Sequence, residues 1–247
     1  MELAESRRAW RRTPRRRVLA IRDRLREMYG RPANDPHGDP VHELVLTILS
    51  QNTSDTNRDV AYAGLRARFA SWAEVRDAPT GEVEAAIRRG GLAPTKAPRI
   101  QAVLREISDH PAGPGREARS GADPGFHLQW LRDAPRTEAM AYLTGLPGVG
   151  RKTAACVMIF AFGRPEIPVD THVHRVGGRL GLFRSDASFD AAHDEMLAIT
   201  PPEDAYELHM NLISHGRALC RPARPRCEEC ELRRMCPYGR ALAAAAP

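Results

Sequence analysis

The chain has 247 residues, of which 42% are hydrophobic and 28% charged, and these proportions favour one large or two small globular domains. The net charge of +6 favours a polyanionic partner such as nucleic acid, although many basic proteins bind none. The sequence contains no run of about 18 apolar residues and therefore predicts no membrane span. Its N-terminus lacks the apolar segment of a secretory signal. We therefore expect an intracellular, cytoplasmic protein.

Helical patterns follow an arginine-rich N-terminus over 1–14 that we expect to be disordered. The segment 41–50 is apolar nearly all round, which predicts a helix buried on every side. Pro and Gly concentrate in 111–125, a predicted surface loop, and no stretch alternates as a half-buried strand would. The sequence predicts an all-α fold of about ten helices. They are expected over 15–29, 41–50, 55–69, 81–89, 95–110, 137–146, 151–162, from 171 onward, 187–199 and 203–218.

Four of the five cysteines lie close together in the pattern C-x6-C-x2-C-x5-C, at Cys220, Cys227, Cys230 and Cys236. In an intracellular chain this spacing is better explained by metal binding than by disulfides. Structural zinc sites usually pair two short C-x2-4-C segments, and only the middle pair here is that close, which favours an iron–sulfur cluster over zinc. Cys156 stands alone in an apolar helix and is predicted to be a core residue.

The stretch LPGVGRKTAACVMIF, residues 146–160, lies between two predicted helices. Gly148 and Gly150 permit a tight turn with no side chain in the way. Backbone N–H groups at the positive end of the second helix would point outward, and a phosphate binds well there. Taken alone, however, the two glycines are better explained by a simple turn between helices that binds no ligand.

Lys152 changes this interpretation, because it falls in the first turn of the second helix, where the helix dipole disfavours a cation and favours the neutral amine. A neutral amine can attack a sugar C1′ atom and form a Schiff base. Such chemistry also needs a carboxylate, and Asp170 in the segment PVDTH is the candidate. Asp170 would also serve as the N-cap of the following helix, where Asp is favoured.

Four segments, LPGVGRKTA, VDTHVHRV, SHGRALC and the cysteine pattern, occur in this order within residues 18–238. Together they resemble the endonuclease III family of helix-hairpin-helix DNA glycosylases, which carry a [4Fe-4S] cluster. The resemblance implies a six-helix barrel over 37–163 and an iron–sulfur cluster domain made of 15–36 and 164–240, with a tail over 241–247. It also implies an active site in the groove between these domains, with the lysine and the aspartate facing each other.

Matched position by position, the resemblance implies that Lys152 is the nucleophile and that Asp170 activates it and stabilises charge on the sugar. The four clustered cysteines would bind the [4Fe-4S] cluster. DNA contacts are implied for the hairpin and for the basic loop between the first two cysteines. These residues are Leu146, Gly148, Val149, Gly150, Arg151, Arg221, Arg224 and Arg226.

Two further segments resemble family loops that enter the DNA. ILSQNTSD, residues 48–55, matches the loop whose glutamine fills the gap left by a flipped base, and Gln51 or its neighbour Asn52 would do so here. GGLAPTKA, residues 90–97, matches the loop that wedges an apolar side chain into the base stack, which would be Leu92.

The resemblance implies a bifunctional DNA glycosylase and abasic-site lyase of base excision repair. It would remove oxidised pyrimidines from double-stranded DNA and cut the strand by β-elimination, as a monomer associated with the nucleoid. Two alternatives remain open at the level of sequence. One is a related glycosylase for mismatched adenine, thymine or uracil, although relatives that only remove bases generally lack the hairpin lysine. The other is a non-catalytic iron–sulfur protein that binds DNA.

Overall fold

The computed structural model describes residues 11–109 and 126–244. Within these ranges every regular element is a helix and no strand occurs, which confirms the predicted all-α fold class. No helix in this part of the chain is long and apolar enough to span a membrane. The predicted loop 111–125 and most of the segment 1–14, for which disorder was predicted, lie outside the described residues.

Twelve α-helices lie in the described ranges, and most of them match the sequence prediction to within two residues. They are α1 (Arg15–Tyr29), α2 (Pro40–Ser50), α3 (Asp55–Arg68), α4 (Trp72–Asp77), α5 (Thr80–Ile87), α6 (Ala93–Asp109), α7 (Arg136–Gly145), α8 (Arg151–Cys156), α9 (Thr171–Leu180), α10 (Phe189–Ile199), α11 (Ala205–Ala218) and α12 (Pro237–Ala244). A turn of π-helix over Val157–Ala161 continues α8, and Gly163 with φ +68° ends it as predicted.

The chain divides into two compact units, which we call the central unit (35–164) and the terminal unit (1–34 with 165–247). The core of the central unit includes α2, which is buried nearly all round as predicted. Asp39 begins this helix, because its Oδ1 accepts a hydrogen bond of 2.9 Å from the backbone N–H of His42, and Pro40 fits the first helical position. The helix packs against α3, α6 and α8.

Sequence analysis did not predict two of the short helices, α4 and α12. In α4, Trp72 and Val75 are buried, but six residues are too few to show a helical period. Its start is marked instead by Ser71, whose Oγ accepts from the N–H of Glu74 at 3.1 Å. Helix α12 begins at a proline and continues to Ala244, so the predicted boundary between domain and tail at residue 241 falls inside a helix.

The terminal unit packs α1 against α11. Arg26 of α1 forms a two-pronged ion pair with the buried carboxylate of Glu207 on α11, with both N–O distances 2.7 Å. Before α1, Thr13 is buried and its hydroxyl donates to the carbonyl of Gly181 at 2.7 Å. The ordered chain therefore begins before residue 15, because contacts with a distant segment hold residues that have no helical pattern of their own.

Candidate active site

The hairpin between α7 and α8 is closed by Gly148, which has φ +70°, a conformation that glycine adopts readily. The side chains of Leu146 and Val149 are only 3% and 4% exposed and belong to the core of the central unit. These two residues can therefore offer only their backbone to a ligand, which corrects any expectation of side-chain contact. No side chain caps α8 at Gly150, so its first N–H groups are not taken up by the usual capping hydrogen bond.

Lys152 is the second residue of α8 and is half-buried, while the residues that follow it, from Thr153 to Ile159, are buried. The helix is thus anchored in the core directly after the lysine. Anchoring of this kind holds the lysine backbone in a fixed place at the end of the hairpin.

A buried carboxylate that sequence analysis did not single out lies in electrostatic contact with this lysine. Glu43 is on α2, which packs against α8, and it accepts a hydrogen bond of 2.8 Å from the hydroxyl of Thr47. Its other oxygen lies 3.3 Å from Nε2 of His37. Burial raises the pKa of Glu43, and these two hydrogen bonds and the charge of Lys152 oppose the rise. A charged residue inside an otherwise apolar helix was the signal that could have revealed it.

Asp170 begins α9 in the terminal unit. Its Oδ1 accepts from the backbone N–H of Val173 at 2.7 Å, which confirms the predicted N-cap. The chain enters this position in extended form, with Ile167 and Val169 buried, and the N–H of Val169 donates to Nε2 of His193 at 3.2 Å. Both flanks of the carboxylate are therefore held in place.

The two loops predicted to enter DNA share an unusual backbone geometry. Asn52 and Leu92 have φ values of +52° and +53°, in the left-handed region that non-glycine residues rarely adopt. Leu92 is also 52% exposed, an unusual environment for a large apolar side chain. Gln51 is half-buried, and its Oε1 accepts from Nη1 of Arg99 at 2.7 Å.

The four clustered cysteines line one cavity in the terminal unit. None of the five cysteines of the chain forms a disulfide. Burial raises the pKa of Cys230 to about 11 and also raises the pKa values of Cys227 and Cys236. In the described part of the chain, no three His, Cys, Asp or Glu side chains are grouped closely enough to hold a single metal ion.

Arg179 of α9 contacts both a cysteine of this cavity and the basic loop that follows it. Nη1 of Arg179 lies 3.4 Å from Sγ of Cys220 and 2.7 Å from the carbonyl oxygen of Arg221, and Nη2 donates to the carbonyl of Pro222 at 3.0 Å. Arg221 and Arg224 are exposed, as a loop that touches DNA requires. The third predicted loop residue, Arg226, is also exposed, and its guanidinium pairs with the carboxylate of Glu229.

Residues 45–202 match the family model of the HhH-GPD superfamily base excision DNA repair protein, and this range includes the hairpin, Lys152 and Asp170. The fold, the hairpin and this match together define the chain as a base excision DNA repair protein of the HhH-GPD class.

Curated relatives agree. Endonuclease III of Thermotoga maritima is 32% identical over 89% of this chain and 93% of its own length. Endonuclease III of Escherichia coli K12 is 31% identical, over 89% and 94%. Among solved structures, a trapped covalent intermediate of endonuclease III with DNA matches with a TM-score of 0.74 and 29% identity, over 94% of this chain and 99% of that one. The chain therefore belongs to the endonuclease III-like family of HhH-GPD base excision DNA repair proteins, and it is an enzyme of the DNA glycosylase and abasic-site lyase class.

Proposed function

We propose that this chain is a bifunctional DNA glycosylase and abasic-site lyase that removes oxidised pyrimidines from double-stranded DNA. The observation that carries the proposal is Lys152, which stands directly after the hairpin in the first turn of α8. An amine nucleophile is what separates a lyase from an enzyme that only removes the base. The covalent DNA intermediate trapped with an endonuclease III of 29% identity supports the same chemistry here.

The target nucleotide flips out of the duplex, because its glycosidic bond is out of reach inside the stack. The neutral amine of Lys152 attacks C1′, so that an N–C1′ bond forms and the bond from C1′ to the base breaks. The base leaves with the electron pair of that bond and gains a proton, and the amine loses one. The nitrogen lone pair then forms a C1′=N double bond while the C1′–O4′ bond breaks and O4′ gains a proton, which opens the sugar ring. The resulting iminium acidifies C2′, and loss of its proton expels the 3′ phosphate, which cuts the strand.

Asp170 is the carboxylate that we propose to assist this reaction, by accepting a proton from the lysine and by stabilising positive charge on the sugar. Capping of α9 through Oδ1 orients this carboxylate. Glu43 is a negative group within the electrostatic reach of Lys152. A nearby carboxylate favours the ammonium form of a lysine.

DNA binding is proposed for the backbone of the hairpin, for Arg151 and for the exposed arginines Arg221 and Arg224. Backbone N–H groups and arginines bind phosphates without reading sequence. The exposed Leu92 is the proposed wedge, and the loop of Gln51 and Asn52 would fill the gap left by the flipped base. A noncovalent complex of endonuclease III with DNA, which has the same fold at 29% identity, supports DNA as the partner.

The four cysteines that line the cavity supply the four thiolates that a [4Fe-4S] cluster requires. Their C-x6-C-x2-C-x5-C spacing is less typical of a structural zinc site, which usually pairs two short C-x2-4-C segments. The contact of Arg179 with Sγ of Cys220 is the kind of hydrogen bond that stabilises a cluster ligand. Bound there, a cluster would stabilise the basic loop without taking part in the reaction.

Borohydride trapping on a duplex with one abasic site tests the central proposal, since borohydride reduces a Schiff base to a stable covalent adduct. The unsubstituted chain is expected to form the adduct, and Lys152→Ala to form none. Arg105→Ala is the control, because it removes a positive charge from an exposed position on α6 outside the proposed site and should still form the adduct. A chain that binds the duplex but forms no adduct would contradict the proposal and favour a base-removal-only enzyme or a DNA-binding protein.

A further inference from the structure

One face of helix α6 contacts the two loops that are proposed to enter DNA, the loop of Gln51 and the loop of Leu92. Lys96 is only 2% exposed, and its ammonium donates to the carbonyls of Leu49 at 2.7 Å and Gly90 at 2.8 Å. Leu49 lies just before the loop of Gln51, and Gly90 lies just before Leu92. A single buried cation therefore joins the starts of both loops.

Arg99 follows Lys96 by three residues, on the same face of α6. Its Nη1 donates to Oε1 of Gln51 at 2.7 Å. Its side chain also packs against the hairpin, where Gly148 leaves room for it. A Cβ at position 148 would lie 2.5 Å from Nε and 2.7 Å from Cδ of Arg99. The same arginine thus touches the gap-filling loop and the hairpin.

The contact with Gln51 has a definite direction. A guanidinium has donors and no acceptor, so the atom of Gln51 that meets Arg99 must be the carbonyl oxygen, and the amide NH2 group must turn away from Arg99. Next to it, Asn52 has a left-handed backbone with φ +52°, which turns the chain directly after Gln51.

We propose that Arg99 is a positioning residue for the step in which the base is flipped and replaced. It holds Gln51 in a fixed orientation and at a fixed distance from the hairpin, so that the loop fills the gap while the hairpin grips the phosphate. This inference rests on the proposed function, because it concerns how the same site handles a duplex. Lys96 holds only backbone atoms, whereas Arg99 acts on a side chain that would enter the DNA.

The test compares the rate of adduct formation on two substrates, a duplex with one abasic site and the same abasic strand in single-stranded form. A single strand leaves no gap to fill, so only the duplex reaction should need Arg99. Arg99→Ala and Arg99→Met are expected to slow duplex trapping by about ten- to hundredfold, the range for loss of a hydrogen bond to a charged group, and to leave single-strand trapping unchanged. Arg99→Met keeps the apolar stem against Gly148, so it serves if Arg99→Ala unfolds.

Two controls isolate the role of Arg99. Arg105→Ala removes the same charge from an exposed position on α6 and should alter neither reaction. In a Gln51→Ala background, Arg99→Met should cause no further loss, because residues that act through one contact are not additive.

The inference would be overturned by equal losses on both substrates, by an additive loss in the Gln51→Ala background, or by the same duplex loss in Arg105→Ala. Failure of the unsubstituted chain to form an adduct on either substrate would overturn the proposed function itself, and this inference with it. Full activity of both Arg99 variants on the duplex would overturn the inference alone.

Discussion

At the scale of single residues, the protonation of Lys152 depends on groups from outside its own helix. Glu43 is buried on α2, and its pKa is raised chiefly by that burial, while the charge of Lys152 lowers it. The interaction is mutual, because a carboxylate favours the ammonium form of a lysine as much as the ammonium favours the carboxylate. The charged carboxylate of Glu43 therefore favours the ammonium form of the proposed nucleophile and opposes its conversion to the reactive amine.

We expect Glu43→Gln to shift the rising limb of the trapping rate to lower pH, since an amide no longer stabilises the ammonium. The measurement is the single-turnover rate of adduct formation as a function of pH. Glu84→Gln, on α5, is the control and should leave the profile in place. An unchanged profile in Glu43→Gln would mean that the charge of Glu43 does not reach Lys152.

At the scale of elements, the hairpin needs a glycine at position 148 for two reasons, one local and one that comes from a distant helix. Gly148 has a left-handed φ of +70°, and the space beside its Cα is filled by Arg99. The motif alone predicts the first requirement, because glycine is common in tight turns. The second comes from α6, some fifty residues earlier in the chain.

Gly148→Ala should reduce the free energy of unfolding by about 1–2 kcal/mol for the left-handed backbone alone, with a further loss from the clash with Arg99. It should also weaken binding to undamaged duplex, because the displaced hairpin no longer presents its N–H groups. Gly145→Ala is the matched control, since a Cβ there meets no atom within 4 Å. Chemical denaturation of both variants checks the prediction. Equal stability of the two would show that the hairpin adapts without strain.

At the scale of the whole molecule, the terminal unit joins residues from both ends of the chain, and the cysteine segment is part of it. Arg17 on α1 donates to the carbonyl of Met235 at 2.7 Å, beside the last cysteine. A cluster at the cavity would therefore stabilise α1 as well as the C-terminal segment, because binding of a metal group to the folded state stabilises that state.

Cys230→Ala is expected to abolish the visible absorption of the cluster, to remove most of the bound iron, and to lower the temperature of unfolding. Cys156→Ala is the control: it makes the same substitution in a buried part of the central unit, and this variant should retain iron and colour. Iron analysis and absorption spectroscopy of the two purified variants decide the matter. A colourless, unsubstituted protein that holds zinc in equal amount would contradict the [4Fe-4S] proposal.

The sequence by itself determined the longer helices, the hairpin and the N-cap at Asp170, because apolar spacing, glycine and capping residues act within a few positions of the chain. It also marked Lys152 and the four cysteines, whose spacing carries a chemical meaning. The burial of Leu146 and Val149 could not be read in this way, since the hairpin motif does not say which of its side chains face the core.

Only the tertiary structure decided which groups surround these residues. The approach of Glu43 to Lys152, the bond between Arg99 and Gln51, and the brace of Arg179 at Cys220 each join segments more than forty residues apart. No local pattern encodes such pairs, because a helix pattern can mark a side chain as buried but does not show which distant side chain lies beside it. Packing of helices alone settles that pairing, by removing water from some of these groups and placing a partner beside them.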